Sequence, residues 1–246
     1  MAKRVKLQRG LVGSLGILLF AIGLLLGLAL FGVVIWADLE AALFSPGLQQ
    51  DAALRSLRCP VMITKGETGK VTASLTNPLD RPTERYVRAH ITDGYVTLMR
   101  EINTSVPLAP GETERLAWTV TADDAAFERL ILVKVVVRGR YPLPSRQGTC
   151  GILVVDVPAL AGRHVFWLSL GASLLSMAAG FGLWYRASQP LHGEGLQMAR
   201  AMGMLAGSIV AGTFVGWMGW WVPGLILFVI TVLGIGVIIG YFLNAA

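Results

Sequence analysis

The 246 residues are 54% hydrophobic and only 15% charged, with a net charge of +6 and a pI near 9.7. A basic excess can signal nucleic-acid binding, yet fourteen of the 21 basic and fourteen of the 15 acidic residues lie within 37–162, which is therefore neutral. The surplus comes from Lys3, Arg4, Lys6, Arg9, Arg163, Arg186 and Arg200, all flanking hydrophobic runs, so it reads as an orientation code and excludes a nucleic-acid partner.

Residues 1–10 form a basic N-terminus, expected to be cytoplasmic, and 11–36 carry no charge. A helix crosses a bilayer core with about 20 apolar residues, so 11–36 is a first transmembrane helix. A cleaved leader has a hydrophobic region of about 7–15 residues and a small-x-small site. This run is longer and Asp38-Leu39-Glu40 offers no such site, so a retained signal anchor is expected. Residues 37–58 are rich in Ala and Leu and interrupted by Ser45-Pro46-Gly47; they read as a juxtamembrane helical stalk.

From Cys59 the period changes to two, the signature of half-buried strands. Val71, Ala73 and Leu75 alternate with polar neighbours, as do Val87, Ala89 and Ile91, then Leu116, Trp118 and Val120. Ile131, Val133, Val135 and Val137 line another strand, and runs near 60–64, 95–102 and 150–157 bring the count to about seven. Turns fall at Lys65-Gly66-Glu67, 77–82, 109–112 and 141–148. Seven short strands over about 100 residues predict an immunoglobulin-like sandwich over 59–162, with Trp118 between the sheets.

Leu108-Ala109-Pro110-Gly111-Glu112-Thr113, followed by the alternation through Thr121, resembles a recurrent phrase of prokaryotic immunoglobulin-like envelope domains. The strand from Val71 to Asn77-Pro78 resembles the one that precedes it there. The resemblance covers about a third of the external segment, implies an extracytoplasmic sandwich and names no ligand. Claudin-like proteins share the four-helix outline, but the external segment here is much too long and the tight pair of cysteines that follows a Gly-Leu-Trp motif is missing.

Residues 163–186 form a second transmembrane helix and 187–200 a cytoplasmic loop. The charge-free tail splits into helices at 201–221 and 224–243 around Trp221-Val222-Pro223-Gly224. The fold class is thus a membrane protein, α plus all-β, with four transmembrane helices and a sandwich inserted between the first two. Six of the seven flanking positive charges then lie on the cytoplasmic side with both termini, and 37–162 is extracytoplasmic. The expected location is the plasma membrane of a prokaryote.

Cys59 and Cys150 are the only cysteines, and both fall in the exported segment. A disulfide can persist there; two unpaired buried thiols are the alternative. Small residues at helical spacing predict helix-packing faces. They are Gly23 and Gly27; Ala172, Ser176 and Gly180; Gly203, Gly207 and Ala211 with Gly212 and Gly216; and Gly236 with Gly240. Whether the contacts are internal or with another protein is open at this level. Trp36, Trp167, Trp217, Trp220 and Trp221 read as an outer aromatic belt, and Trp184 as an inner one.

Chemistry is sparse. His90 is expected exposed on a polar strand face, His164 at a membrane edge, and His192 beside Glu194 falls short of a zinc set. Carboxylate pairs Glu112/Glu114 and Asp123/Asp124 read as solvated charge, the latter as a cap for one helical turn. No zinc-protease, nucleophile-elbow, phosphate-loop or dinucleotide motif occurs. No catalytic, cofactor or metal site is expected, and charge-free spans oppose coupled transport. The expectation is a non-enzymatic accessory or scaffolding subunit whose partners are other integral membrane proteins and lipid. An extracytoplasmic glycan or peptide sensor, or a pore or lipid-handling protein, is the alternative. Asn103-Thr104-Ser105 is a formal glycosylation acceptor.

Overall fold

The computed structural model describes residues 2–44 and 52–245. It comprises two compact units, one of Met1–Ile35 with Phe166–Ala246 and one of Trp36–Val165.

The first unit is helical. It takes the larger part of α1 (Ala2–Leu43), most of α2 (Gly162–Ala187), and all of α3 (Glu194–Trp217) and α4 (Trp221–Ala245). Among the described residues four stretches are long and apolar enough to cross a membrane: Gly10–Leu43, Gly162–Ala187, Gly195–Trp217 and Trp221–Tyr241. At 1.5 Å per residue the first is about 50 Å long, well beyond a hydrocarbon core of roughly 30 Å. Its last two turns belong to the other unit.

The α3–α4 connection differs from the expected break at 221–224. Met218 caps α3 and Gly219 takes the left-handed conformation, with φ +72°. The Gly219 amide donates to the Gly216 carbonyl at 2.9 Å and the Trp220 amide to that of Val215 at 3.2 Å, the double closure of a Schellman turn. Pro223 then falls in the first turn of α4, where its missing N–H costs nothing. The turn is made three residues before the Pro-Gly dipeptide that suggested it.

The second unit is a two-layer β-sandwich. One sheet has the order β1 (Ala52–Ala53), β8 (Arg146–Val155), β7 (Leu130–Val137), β4 (Thr83–Asp93), β5 (Tyr95–Leu108), with β2 (Met62–Thr64) also on β8. The other pairs β3 (Gly69–Thr76) with β6 (Thr113–Val120). Between them lie Val71, Ala73, Val87, Ala89, Ile91, Trp118, Val120, Ile131, Val133 and Val135, the alternating residues read from the sequence, together with Ile152 of the last strand.

Three boundaries depart from expectation. The last strand begins at Arg146, within the predicted turn, because its first residues pair with Val136 and Val137. The fifth strand runs on to Leu108 along β4. The helical stalk over 37–58 is corrected: α1 continues only to Leu43, and Ala52–Ala53 are a strand parallel to β8. The predicted Ser45-Pro46-Gly47 break lies outside the described residues.

Candidate functional site

The outer face of the larger sheet is where the structure adds most to the sequence reading. The end of α1 lies on it. Gly151 of β8 is the contact point, since a methyl group there would collide with the Ala37 carbonyl and stand 2.8 Å from its Cα. The Gly151 amide donates to Asp38 Oδ1 at 3.2 Å, which gives this buried carboxylate a partner. Ala41 and Phe44 pack on Leu132, and Lys134 Nζ donates to the Phe44 carbonyl at 3.3 Å. Leu132 and Lys134 occupy the non-core face of β7, so this cover explains why that strand is buried on both faces.

His90 is also drawn in, contrary to the expectation of an exposed imidazole. It stands between Glu101 of β5 and Lys134 of β7 and is only 5% exposed. Its Nε2 lies 3.3 Å from Glu101 Oε2, and Arg88 Nε lies 3.2 Å from Glu101 Oε1. The Asn103 amide donates to Glu101 at 2.7 Å and, first among several causes, holds that carboxyl below its usual range. Burial pushes the His90 imidazole down, against the opposing pull of Glu101, and likewise lowers the Lys134 ammonium. The central-strand position of His90 decided this, because both of its neighbouring strands crowd it. Of these groups it is Lys134 that bonds the end of α1, through the Phe44 carbonyl. Among the described residues no three His, Cys, Asp or Glu side chains converge as a metal site.

The second surface is an exposed apolar tip. The β4–β5 turn pivots on Gly94 (φ +73°), and the register slips between Thr92 and Asp93, so that Val96, Thr97 and Leu98 bulge outward. Tyr95, Val96, Leu98 and Met99 are all exposed. Phe127 joins them, 66% exposed, its amide bonded to the Gly94 carbonyl at 3.1 Å and its ring edge-on to Tyr95 at 6.1 Å. Phe127 and Glu128 both adopt left-handed backbone (φ +53° and +57°), a strained choice for a bulky residue that turns the ring outward.

This tip shares a rim of the sheet with the start of α2. The Val154 amide donates to the Arg129 carbonyl at 2.8 Å, β2 flanks the end of β8, and the Gly162 amide donates to Glu67 at 2.7 Å. Sequence periodicity missed the tip, because a bulge breaks the alternation it relies on.

Each residue expected at a packing face can now be placed. In the helical unit a Cβ at Gly23 would meet Met177 N and Ser173 O at 2.7 Å, and one at Gly27 would meet Ser173 Oγ at 2.6 Å. Ser173 Oγ donates to the Gly23 carbonyl and Ser176 Oγ to that of Leu19, both at 2.7 Å, and Gly180 abuts the Phe20 backbone. Gly212 receives the Phe31 ring and Gly216 lies against Val34. Ala172 departs from the expectation: it is exposed, and Ser173 one position on makes the contact. Gly203, Gly207, Gly236 and Gly240 have open space where a Cβ would go, and Ala211 is exposed.

Cys59 and Cys150 form a disulfide with Cα atoms 6.5 Å apart. It ties the chain ahead of β2 to β8. Trp36, Trp167, Trp217 and Trp220 are exposed and Trp221 is half-buried. Trp184 is corrected: it is 6% exposed, packed against Gly16, and serves as a core side chain. Asp124, of the expected solvated pair, instead receives Arg100 at 3.0 Å and closes the 3₁₀ turn Ala122–Asp124 by accepting from the Thr121 amide at 2.8 Å.

No protein-family model and no curated protein matches the sequence. Among solved structures, the CARDB domain of a Pyrococcus furiosus protein, an immunoglobulin-like fold solved with di-metal ions, is similar over 40% of this chain and 84% of its own, with 16% identity and a TM-score of 0.32. The alkylpurine DNA glycosylase of Pseudomonas fluorescens matches 40% of this chain and 29% of its own, at 18% identity and a TM-score of 0.32. A Bacteroides uniformis β-glucuronidase matches 39% and 12%, at 16% identity and a TM-score of 0.29.

Proposed function

We propose that the chain is a multi-pass membrane protein with both termini cytoplasmic and its sandwich outside, acting as an accessory or scaffolding subunit of a larger membrane or cell-envelope complex. The observation that carries this reading is the apolar tip of Tyr95, Val96, Leu98, Met99 and Phe127. A contiguous exposed apolar group on an otherwise alternating β-unit marks an interaction surface. The four apolar stretches of the helical unit favour a partner that is itself an integral membrane protein. The open glycines of α3 and α4 offer such a partner close helix approach, since internal packing leaves those rows uncovered. The positive flanks of the spans support the orientation.

The test is a photo-cross-linker at Leu98 in the full chain, in native membranes, combined with purification in mild detergent. A single integral membrane protein is expected to cross-link and to co-purify in constant ratio, and Phe127→Ser or Gly203→Leu should deplete it. Cross-linking to lipid alone, or a strictly monomeric protein after mild extraction, would overturn the reading.

A further inference from the structure

Two arginines sit where the sandwich should be apolar. Along β4 the core-facing residues are Val87, Ala89 and Ile91, and Arg85 continues that parity at the strand's start. Along β8 the same face carries Cys150, Ile152 and Val154, and Arg146 continues it at the strand's start. Arg146 pairs with Val137, and Val137 with Val87, which brings both side chains to one open end between the sheets. They border a cavity of about 30 Å³, shared with Ser74, Thr76, Val137 and Leu143.

Arg85 is the exceptional group. It is 6% exposed, its Nη2 donates to the Pro144 carbonyl at 3.2 Å, and its Nη1 has no hydrogen-bond partner among the described residues. Among the described residues no acidic side chain borders the cavity. A guanidinium taken out of water without a counter-charge costs several kcal/mol, and a second guanidinium beside it raises that cost. Burial, and then the nearby Arg146 charge, both act against the ionised form of Arg85. Arginine stays protonated in proteins, so the charge must be matched from outside the sandwich. Water would satisfy Nη1 but would leave two like charges facing each other. A carboxylate satisfies both demands, because its two oxygens fit the guanidinium fork. A cavity of this size takes roughly two water molecules, and so roughly two carboxylate oxygens.

We propose that the open end of the sandwich between Arg85 and Arg146 is a binding site for a single carboxylate group. The carboxylate comes either from a small free acid or from an acidic side chain of a polypeptide. The site lies at the end of the sheet opposite the apolar tip, and it does not depend on the partner proposed above.

The test is NMR of the full chain in detergent, ¹⁵N-labelled at arginine, following the Arg85 Nε–H signal. The titrants are acetate, a capped glutamate peptide, and chloride at matched ionic strength. Saturable movement with acetate supports the site and assigns it to a small acid. Saturation by the peptide alone supports it and assigns the carboxylate to a polypeptide. Movement no greater than that with chloride, in both titrations, overturns the proposal. Arg146→Gln, a change at an exposed strand end, should weaken binding about tenfold, the loss of one charge-assisted contact; unchanged affinity in that variant also overturns it. Arg85→Met should abolish saturation, and Arg146→Gln keeps the test decisive should that variant not fold.

Discussion

Gly151→Ala is the sharpest probe of how the end of α1 is held on the sandwich. The added methyl would enter the Ala37 carbonyl, and backbone on both sides leaves it nowhere to go. Residues 37–44 must then lift from the sheet. Lifting leaves the Gly151 amide and Asp38 without each other, and strips cover from Ala41, Phe44 and Leu132. Orphaning a buried pair costs about 1–3 kcal/mol and exposing Phe44 about 1.5–3 kcal/mol, so a loss of about 3–5 kcal/mol is expected. For a unit of this size that is roughly a 10–20 °C fall in Tm. Differential scanning calorimetry on the full chain in detergent reads it, and hydrogen exchange at 39–44 should rise in parallel. Gly66→Ala, where a Cβ meets nothing within 4 Å, is the control. If Gly151→Ala melts with that control and exchange at 39–44 is unchanged, the docking argument fails.

Three further outcomes follow from the same geometry. His90 has its folded pKa lowered by burial, so the unfolded chain binds more protons as pH drops through the ordinary imidazole range; stability should therefore be full above about pH 6.5 and fall below it. Urea titrations at stepped pH should show this loss, and His90→Gln should flatten it over that window. Cys59→Ala with Cys150→Ala opens a loop with a sequence separation of 91, worth about 4–5 kcal/mol on the chain-entropy view, and urea midpoints should drop accordingly. Gly23→Leu should destabilise the helical unit by at least 1–3 kcal/mol, roughly the cost of overpacking, whereas Gly203→Leu, facing open space, should leave its melting unchanged.

Much of this architecture is legible in the residues because each relevant signal is local. Charge-free runs of adequate length gave four helices, and period-two alternation picked out the core of β3, β4, β6 and β7. The chain past Trp36 was harder: Ala and Leu favour helix, yet Ala52–Ala53 join a sheet because β8 offers an unpaired edge there. The α3–α4 turn was misplaced for a related reason, since Pro223 is as much at home in a helix's first turn as in a loop. Small-residue spacing identified contact faces but could not rank them. Gly212 and Gly216 meet Phe31 and Val34, while Gly203 and Gly207, at the same spacing, meet nothing.

Buried charge shows where that legibility ends. Lys134 occupies the polar parity of β7, so alternation assigns it to solvent; it is buried because residues 37–44, some 90 positions away in sequence, lie over it. No pattern within the strand carries that information. Arg85 is the opposite case. It falls on the apolar parity of β4, in step with Val87, Ala89 and Ile91, so the strand itself announces a charge pointed into the core. A basic residue out of phase with its strand marks a place where the fold accepts a desolvation cost. The carboxylate site is the compensation expected at Arg85, whereas Lys134 is compensated internally by the Phe44 carbonyl.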